Sequence, residues 1–218
     1  MKYIFFDFDG TISNTYEGVA DILRRTFDKY NLDVPVEDYT KYIGPPLSDS
    51  FTKLLKDREK AYEAVAYFRK LYVGENAIYK SCLYDGVYEM LKDCHDTEGI
   101  ATGVATCKKH EEADELLRYF KVKDYIDCLS GLVYNVRESK EDILGYAIDS
   151  LGITPQDCVM VGDTIYDVEG AEKLGMDCIL CLWGFGDYDN IHNKNVVFRA
   201  KTPQDVTKFV RENYAVRK

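Results

Sequence analysis

Short apolar runs recur along the chain at Tyr3–Phe8, Ile100–Thr106, Ile126–Leu129, Cys158–Gly162, Asp177–Trp183 and Val196–Phe198. Nearly continuous hydrophobicity over so few residues fits strands buried on both faces. Between them, apolar residues return at helical intervals over Tyr84–Lys92, Glu111–Phe120, Lys140–Leu151 and Asp167–Leu174. Gly152 and Gly175 stand just past two of these segments, where glycine commonly ends a helix. Strand alternating with helix predicts an α/β fold with a parallel sheet and helices on both of its faces.

One segment breaks the alternation. From about Tyr16 to Tyr79 the pattern is helical throughout, with Val19, Ile22, Leu23 and Phe27, then Leu54, Leu55, Val65, Phe68 and Leu71, at helix-like intervals. Pro35 and Gly44-Pro45-Pro46 are its strong breakers and fit turns between helices. The chain therefore reads as a core, residues 1–15 and 80–218, carrying a small helical insert, residues 16–79.

Composition narrows what such a fold can do. Across 218 residues, 38 acidic against 28 basic side chains give a net charge of -10, which argues against a nucleic-acid polymer or a membrane surface as partner. Any anionic substrate must then be held locally, by a metal, a lysine or oriented backbone amides. No stretch reaches the roughly 20 apolar residues of a membrane span and the N-terminus lacks a basic-then-apolar leader, so a cytoplasmic protein is expected. Seven cysteines, an odd number scattered through the chain, fit reduced thiols better than a disulfide framework. Cys178-Ile179-Leu180-Cys181 has the spacing of a metal or redox pair. Inside a strand, however, residues three apart face opposite ways, so core packing is expected. His95, His110 and His192 show no ligand spacing.

Open parallel sheets bind ligands beyond the carboxyl ends of their strands. The first strand delivers Asp7, Asp9, Gly10 and Thr11 there; the Ile100 strand delivers Thr106, Cys107 and Lys108; the Cys158 strand delivers Gly162, Asp163, Thr164 and then Asp167. Acids gathered on one edge repel one another, and a hard cation such as Mg2+ with oxygen ligands is the simplest remedy. Mg2+ in turn attracts phosphate. Asp7 and Asp9 fall on one face of an ideal strand unless the Gly10 turn redirects the second. Read singly, Thr106 is equally a helix cap, and Asp163 and Asp167 are acids suited to a helix start. Ser139-Lys140-Glu141-Asp142 resembles a capping box, and a lysine in that first turn opposes the helix dipole, which favours a functional role for Lys140. Lys108, Lys109 and Arg137 are the competing cations.

Together, Asp7-Phe8-Asp9-Gly10-Thr11, Val104-Ala105-Thr106-Cys107-Lys108, Lys140 opening a helix, and Val161-Gly162-Asp163-Thr164-Ile165-Tyr166-Asp167 resemble the haloacid dehalogenase (HAD) superfamily of magnesium-dependent phosphatases. The motifs stand in the family's order, and the resemblance covers essentially the whole chain. It implies a Rossmann-like HAD core with an inserted α-helical cap. It also implies that Asp7 is a nucleophile that forms an aspartyl-phosphate and that Asp9 is first general acid, then general base. Thr106 would donate its hydroxyl to the phosphoryl group, and Lys140 would neutralise charge on the nucleophile and the transferring group. Asp163 would join the Asp7 carboxylate and the Asp9 backbone carbonyl as Mg2+ ligands, with Asp167 ligating the ion or steering its waters. Gly10, Thr11 and Cys107, with Gly44 and Pro45 of the insert, are the implied substrate contacts. Asn14 and Cys107 depart from the residues common in relatives, and both are expected to line the mouth of the site.

Tyr42–Phe51, Lys140–Ala147 and Trp183–Gly186 are similar to the phosphoglycolate phosphatase and 5'-nucleotidase-like branch. The implied activity is hydrolysis of a small phosphorylated metabolite, with the Gly44-Pro45-Pro46 turn presented to the site when the insert closes. An acid two residues after the nucleophile favours phosphoryl over carbon-halogen chemistry, because only an alkoxide leaving group needs a proton. A phosphomutase of the beta-phosphoglucomutase type, and a phosphate-sensing or partner-binding scaffold without turnover, are the alternatives. The sequence gives no basis for an oligomeric state.

Overall fold

Alternation along β1 (Lys2–Phe6) sorts its apolar side chains into two cores: Ile4 and Phe6 join one, Phe5 the other, and all three are fully buried. The structure is a computed structural model and describes residues 1–216. After β1 come β2 (Ser13–Asn14), α1 (Tyr16–Lys29), α2 (Leu47–Leu55), α3 (Arg58–Gly74), β3 (Cys82–Leu83) and α4 (Val87–His95). Then follow β4 (Ile100–Lys109), α5 (His110–Tyr119), β5 (Cys128–Leu132), α6 (Lys140–Leu151), β6 (Cys158–Gly162) and α7 (Ile165–Lys173). The chain continues through β7 (Asp177–Cys181), β8 (Val196–Ala200) and α8 (Pro203–Asn213).

Six parallel strands form one sheet in the order β5-β4-β1-β6-β7-β8. The chain builds outward from β1 to β5, then returns to the other side of β1 with β6. That reversal of direction opens a crevice at the carboxyl end of β1. Phe6 is in register with both Val104 and Val161, so the residues after all three strands reach the same edge. α6 and α7 cover the face that buries Phe5, Met160 and Leu180, while α4, α5 and α8 cover the face that buries Ile4, Val159 and Ile179. Cys178 and Cys181 are fully buried in different cores, the packing role that strand alternation predicts. Among the described residues every cysteine is free, and no helix is long and apolar enough to cross a membrane.

The helices between β2 and β3 pack around Phe27, whose ring meets Tyr39, Tyr42 and Phe51 edge-on. Both ends of this insert pass through a two-stranded antiparallel ribbon, Ser13 opposite Leu83 and Asn14 opposite Cys82. Runs of two residues carry no periodicity, so nothing in the sequence announces it. Asn14 belongs to this ribbon, and its Oδ1 accepts a hydrogen bond from the Tyr16 amide at 3.1 Å at the start of α1. It is absent from the lining of the cleft described below, contrary to expectation.

Several boundaries move for identifiable reasons. β1 stops at Phe6, two residues early, because Phe8 O accepts the amides of both Ile12 and Ser13 and so closes a tight loop. β4 runs on to Lys109 through a bulge between Thr106 and Lys109. α4 begins only at Val87, since Gly86 at φ +85 cannot belong to it. β5 starts at Cys128, after a 3-10 turn over Lys123–Tyr125 occupies the preceding residues.

Candidate active site

The amide of Asp7 donates to Val161 O at 2.8 Å, which fixes the backbone at the point where β1 ends. The chain then turns through Gly10 at φ +85, a conformation that favours glycine. Space requires glycine there too, because a Cβ would stand 2.1 Å from Asp163 Oδ2. The turn separates the two acids of the first motif. Asp7 points to Asp163 and Asp167, and each of these three buried residues offers a carboxylate oxygen within 4.8 Å of the others. The Asp9 carboxylate is not in that group; its Oδ1 pairs instead with Lys108 Nζ at 3.0 Å.

Each acid of the cluster is held by neighbours the fold supplies. Thr11 Oγ1 donates to Asp163 Oδ1 at 3.0 Å, and the Phe185 amide donates to Asp163 Oδ2 at 2.7 Å. Asp167 Oδ2 accepts from the amide and the hydroxyl of Thr164 at 3.0 and 2.8 Å, closing the N-terminus of α7. Lys140 stands in the first turn of α6, where Ser139 and Asp142 form the expected capping box. Its Nζ donates to Ala105 O at 2.9 Å and lies 2.8 Å from Asp7 Oδ1 and 2.7 Å from Asp167 Oδ1. The competing cations are engaged elsewhere: Lys109 pairs with Glu111, and Arg137 donates to Gly131 O and lies over the Tyr146 ring.

The electrostatics of the cluster suit a bound cation. Burial first, then the charge of Asp167, push the Asp7 carboxyl up to about 7 even with Lys140 adjacent. Burial, followed by the charges of Asp167 and Asp7, holds the Asp163 carboxyl well above the usual carboxylate range. Burial works against the Lys140 ammonium, yet Asp167 and Asp7 more than offset it and leave its pKa raised. One ammonium thus faces three buried carboxylates, and it is shared between Asp7 Oδ1 and Asp167 Oδ1. A hard, all-oxygen donor set with uncompensated negative charge fits a divalent ion such as Mg2+.

Thr106, 1% exposed, ends the regular part of β4, and its Oγ1 accepts the Lys108 amide at 3.1 Å, which leaves its hydroxyl proton for another acceptor. A bulge puts an extra residue into the strand and breaks the alternation of faces. Consecutive Cys107 and Lys108 therefore both border one cleft. Burial pushes the Cys107 thiol up to about 12, so it lines the site as a neutral group. Across the cleft stand Gly44 and Pro45 of the insert. Gly44 has φ +101, and a Cβ on it would meet Thr164 Cγ2 at 3.2 Å, so the turn presses on the start of α7. Gly10 and Thr11 contact Asp163 and do not border the cleft.

Sequence reasoning missed, among other lining residues, Arg69 and Tyr72 of α3 and Glu112 of α5. Arg69 falls in the apolar stripe of α3 between Val65, Phe68 and Tyr72, and a charge placed inside such a stripe is the signal that marks it.

The haloacid dehalogenase-like hydrolase profile matches residues 4–181. Among curated relatives, the tyrosine-protein kinase PtkA of Mycobacterium tuberculosis is 32% identical over 192 residues, which are 87% of this chain and 65% of that one. The match thus falls just short of two thirds of PtkA's length. A 5'-nucleotidase of Pseudomonas aeruginosa is 30% identical over 191 residues, 86% of each chain. The crystal structure of a predicted phosphatase from Clostridium acetobutylicum superposes with a TM-score of 0.90 at 30% identity, covering 97% of this chain and 98% of that one. Sheet order, the acids at the carboxyl edge and these matches agree: the chain belongs to the haloacid dehalogenase-like hydrolase family.

Proposed function

We propose that the protein is a Mg2+-dependent phosphomonoesterase that hydrolyses a small phosphorylated metabolite through an aspartyl-phosphate on Asp7, in the manner of phosphoglycolate phosphatases or 5'-nucleotidases. The observation that carries this reading is the buried cluster of Asp7, Asp163 and Asp167 with Lys140 between two of them. Asp7, Asp163 and the Asp9 backbone carbonyl would hold Mg2+, with Asp167 as ligand or orienter of its waters. The bound ion would neutralise the carboxylates and draw charge from the phosphoryl oxygens.

The remaining steps belong to side chains. Asp7 attacks phosphorus with a carboxylate oxygen, and Lys140 keeps that oxygen from being repelled by the incoming anion. The bond from phosphorus to the ester oxygen breaks, the electron pair leaves with that oxygen, and Asp9 supplies its proton. Thr106 donates its free hydroxyl proton to a phosphoryl oxygen. Asp9, now ionised, takes a proton from the water that attacks the aspartyl-phosphate, and Asp7 is released. Residues 16–79 act as a cap, with Gly44 and Pro45 closing against the edge that carries Asp9, Cys107 and Lys108.

Asp7→Asn should abolish hydrolysis of p-nitrophenyl phosphate while the thermal unfolding midpoint stays near that of the wild type. Full activity in that variant rejects the mechanism. EDTA should silence the wild type and Mg2+ restore it. A panel of phosphoglycolate, nucleoside monophosphates, sugar phosphates and pyrophosphate separates hydrolase from mutase and identifies the leaving group.

A further inference from the structure

The side of the cleft beyond Asp9 is built differently from the acid cluster. Lys108 Nζ is 3.0 Å from Asp9 Oδ1 and lies over the Phe8 and Tyr72 rings at 5.6 and 5.4 Å. Arg69 enters from the insert. Its Nη1 donates to Glu112 Oε1 at 2.7 Å and its Nε to Tyr134 Oη at 2.8 Å. These two bonds to core residues fix the guanidinium, and its Nη2 has no acceptor among the described residues. The third group is Tyr72, 2% exposed, which lines the same cleft and whose hydroxyl interacts with Lys108.

We infer that Arg69, Lys108 and Tyr72 form a subsite for a second anionic group on the leaving group. The substrate class is then a compact phosphate compound whose scissile oxygen is followed closely by a carboxylate or another phosphate. This rests on the reading of Asp7 and Asp9 given above. Asp9 must reach the scissile oxygen, and Lys108 is in contact with Asp9, so Lys108 meets the atoms just beyond that oxygen. Arg69 and Tyr72 line the same cleft. Glu112 spends one guanidinium nitrogen to aim the other, which makes recognition depend on directed, charge-assisted hydrogen bonds. Apolar Val19, Ile43, Leu47 and Phe68 complete the walls and keep the polar contacts dry.

The test compares kcat/KM for 2-phosphoglycolate, pyrophosphate, AMP and ethyl phosphate, whose leaving group is uncharged. In the wild type one of the two anionic leaving groups should exceed ethyl phosphate and AMP by at least about tenfold, the discrimination a single charge-assisted hydrogen bond supplies. Which of the two leads tells carboxylate from phosphate. The paired variant Arg69→Met with Glu112→Gln leaves no lone buried charge and should collapse that ratio, mainly through KM, and Arg69→Lys with Glu112 intact should restore part of it. Tyr72→Phe, nearly isosteric, should raise KM for the anionic substrate severalfold and serves if the paired variant does not fold. Equal rates on all four compounds, or a ratio that survives both variants, overturns the subsite and leaves the phosphatase reading standing. Hydrolysis of none of them by the wild type overturns both.

Discussion

Lys140 is 4% exposed and sits between two carboxylates, an arrangement whose energetics are asymmetric. Forming such a cluster gains little over an apolar alternative, but removing its cation leaves buried charge without compensation. Lys140→Met should therefore lower stability by about 3–5 kcal/mol in metal-free buffer, read from the urea midpoint, and cut kcat by about 10²–10³. A midpoint equal to that of the wild type would show that the carboxylates are neutral in the folded protein. Asp7, Asp163, Asp167 and Lys140 are legible in the sequence because each lies in a short contiguous motif at a strand end or helix start. Arg69 is marked only by its charge within the apolar stripe of α3, and Tyr72 by nothing at all. Their place in the cleft depends on long-range contacts, Arg69 with Glu112 and Tyr134 and Tyr72 with Lys108, which no local pattern encodes.

At the scale of elements, the loop after β7 shows what apolar runs conceal. The run from Asp177 to Trp183 reads as one strand, yet β7 ends at Cys181 and the chain turns back over the site. Trp183 Nε1 donates to Thr11 O at 3.1 Å and the Phe185 amide to Asp163 Oδ2, so aromatic residues that look like strand continuation instead brace the first motif. Gly184 lies between these contacts, where a Cβ would be 2.2 Å from both Asp163 Oδ2 and Gly10 O. Because one of those atoms is backbone, rotating a side chain cannot relieve the clash. Gly184→Ala should weaken activation by Mg2+ at least about tenfold through displacement of the Asp163 carboxylate, seen as a shifted Mg2+ titration of activity. An unchanged titration would mean that Asp163 does not need this brace. The alternation of strand and helix was legible to within a few residues for the same reason that it folds, since buried parallel strands need continuous apolar runs. The β4 bulge was not, since one extra residue in a ladder leaves the hydrophobic pattern intact while turning Cys107 and Lys108 to the same cleft.

For the whole molecule, the acid cluster sets a pH dependence opposite to that of the surface. Exposed or partly exposed acids such as Glu75, Asp114 and Asp142 are held below their usual range by hydrogen bonds, chiefly from Arg25, from Arg118 and from Ser139 respectively. Their contribution is complete above about pH 5 and is lost only toward acid. Asp7 behaves the other way: the folded protein binds its proton more tightly than the unfolded chain does, with the carboxyl pushed up from 3.8 to about 7, chiefly by burial. The sign follows from linkage. Stability linked to that proton is present below the unfolded value and falls as pH rises toward 7, and Asp163, raised for the same cause, adds to the loss. Metal-free protein should then melt lower at pH 8 than at pH 5.5, by about 5 °C or more on the usual scale for a chain of this size. Mg2+ competes with those protons for the same oxygens, so saturating Mg2+ should raise the midpoint more at pH 8 than at pH 5.5 and flatten the profile. Asp163→Asn, which removes one of the titrating charges, should stabilise the metal-free protein at pH 8 while reducing its response to Mg2+. A midpoint insensitive to both pH and Mg2+ between these limits would show that the three acids neither repel one another nor share an ion, and the reading of this edge as a metal-dependent catalytic site would fall with it.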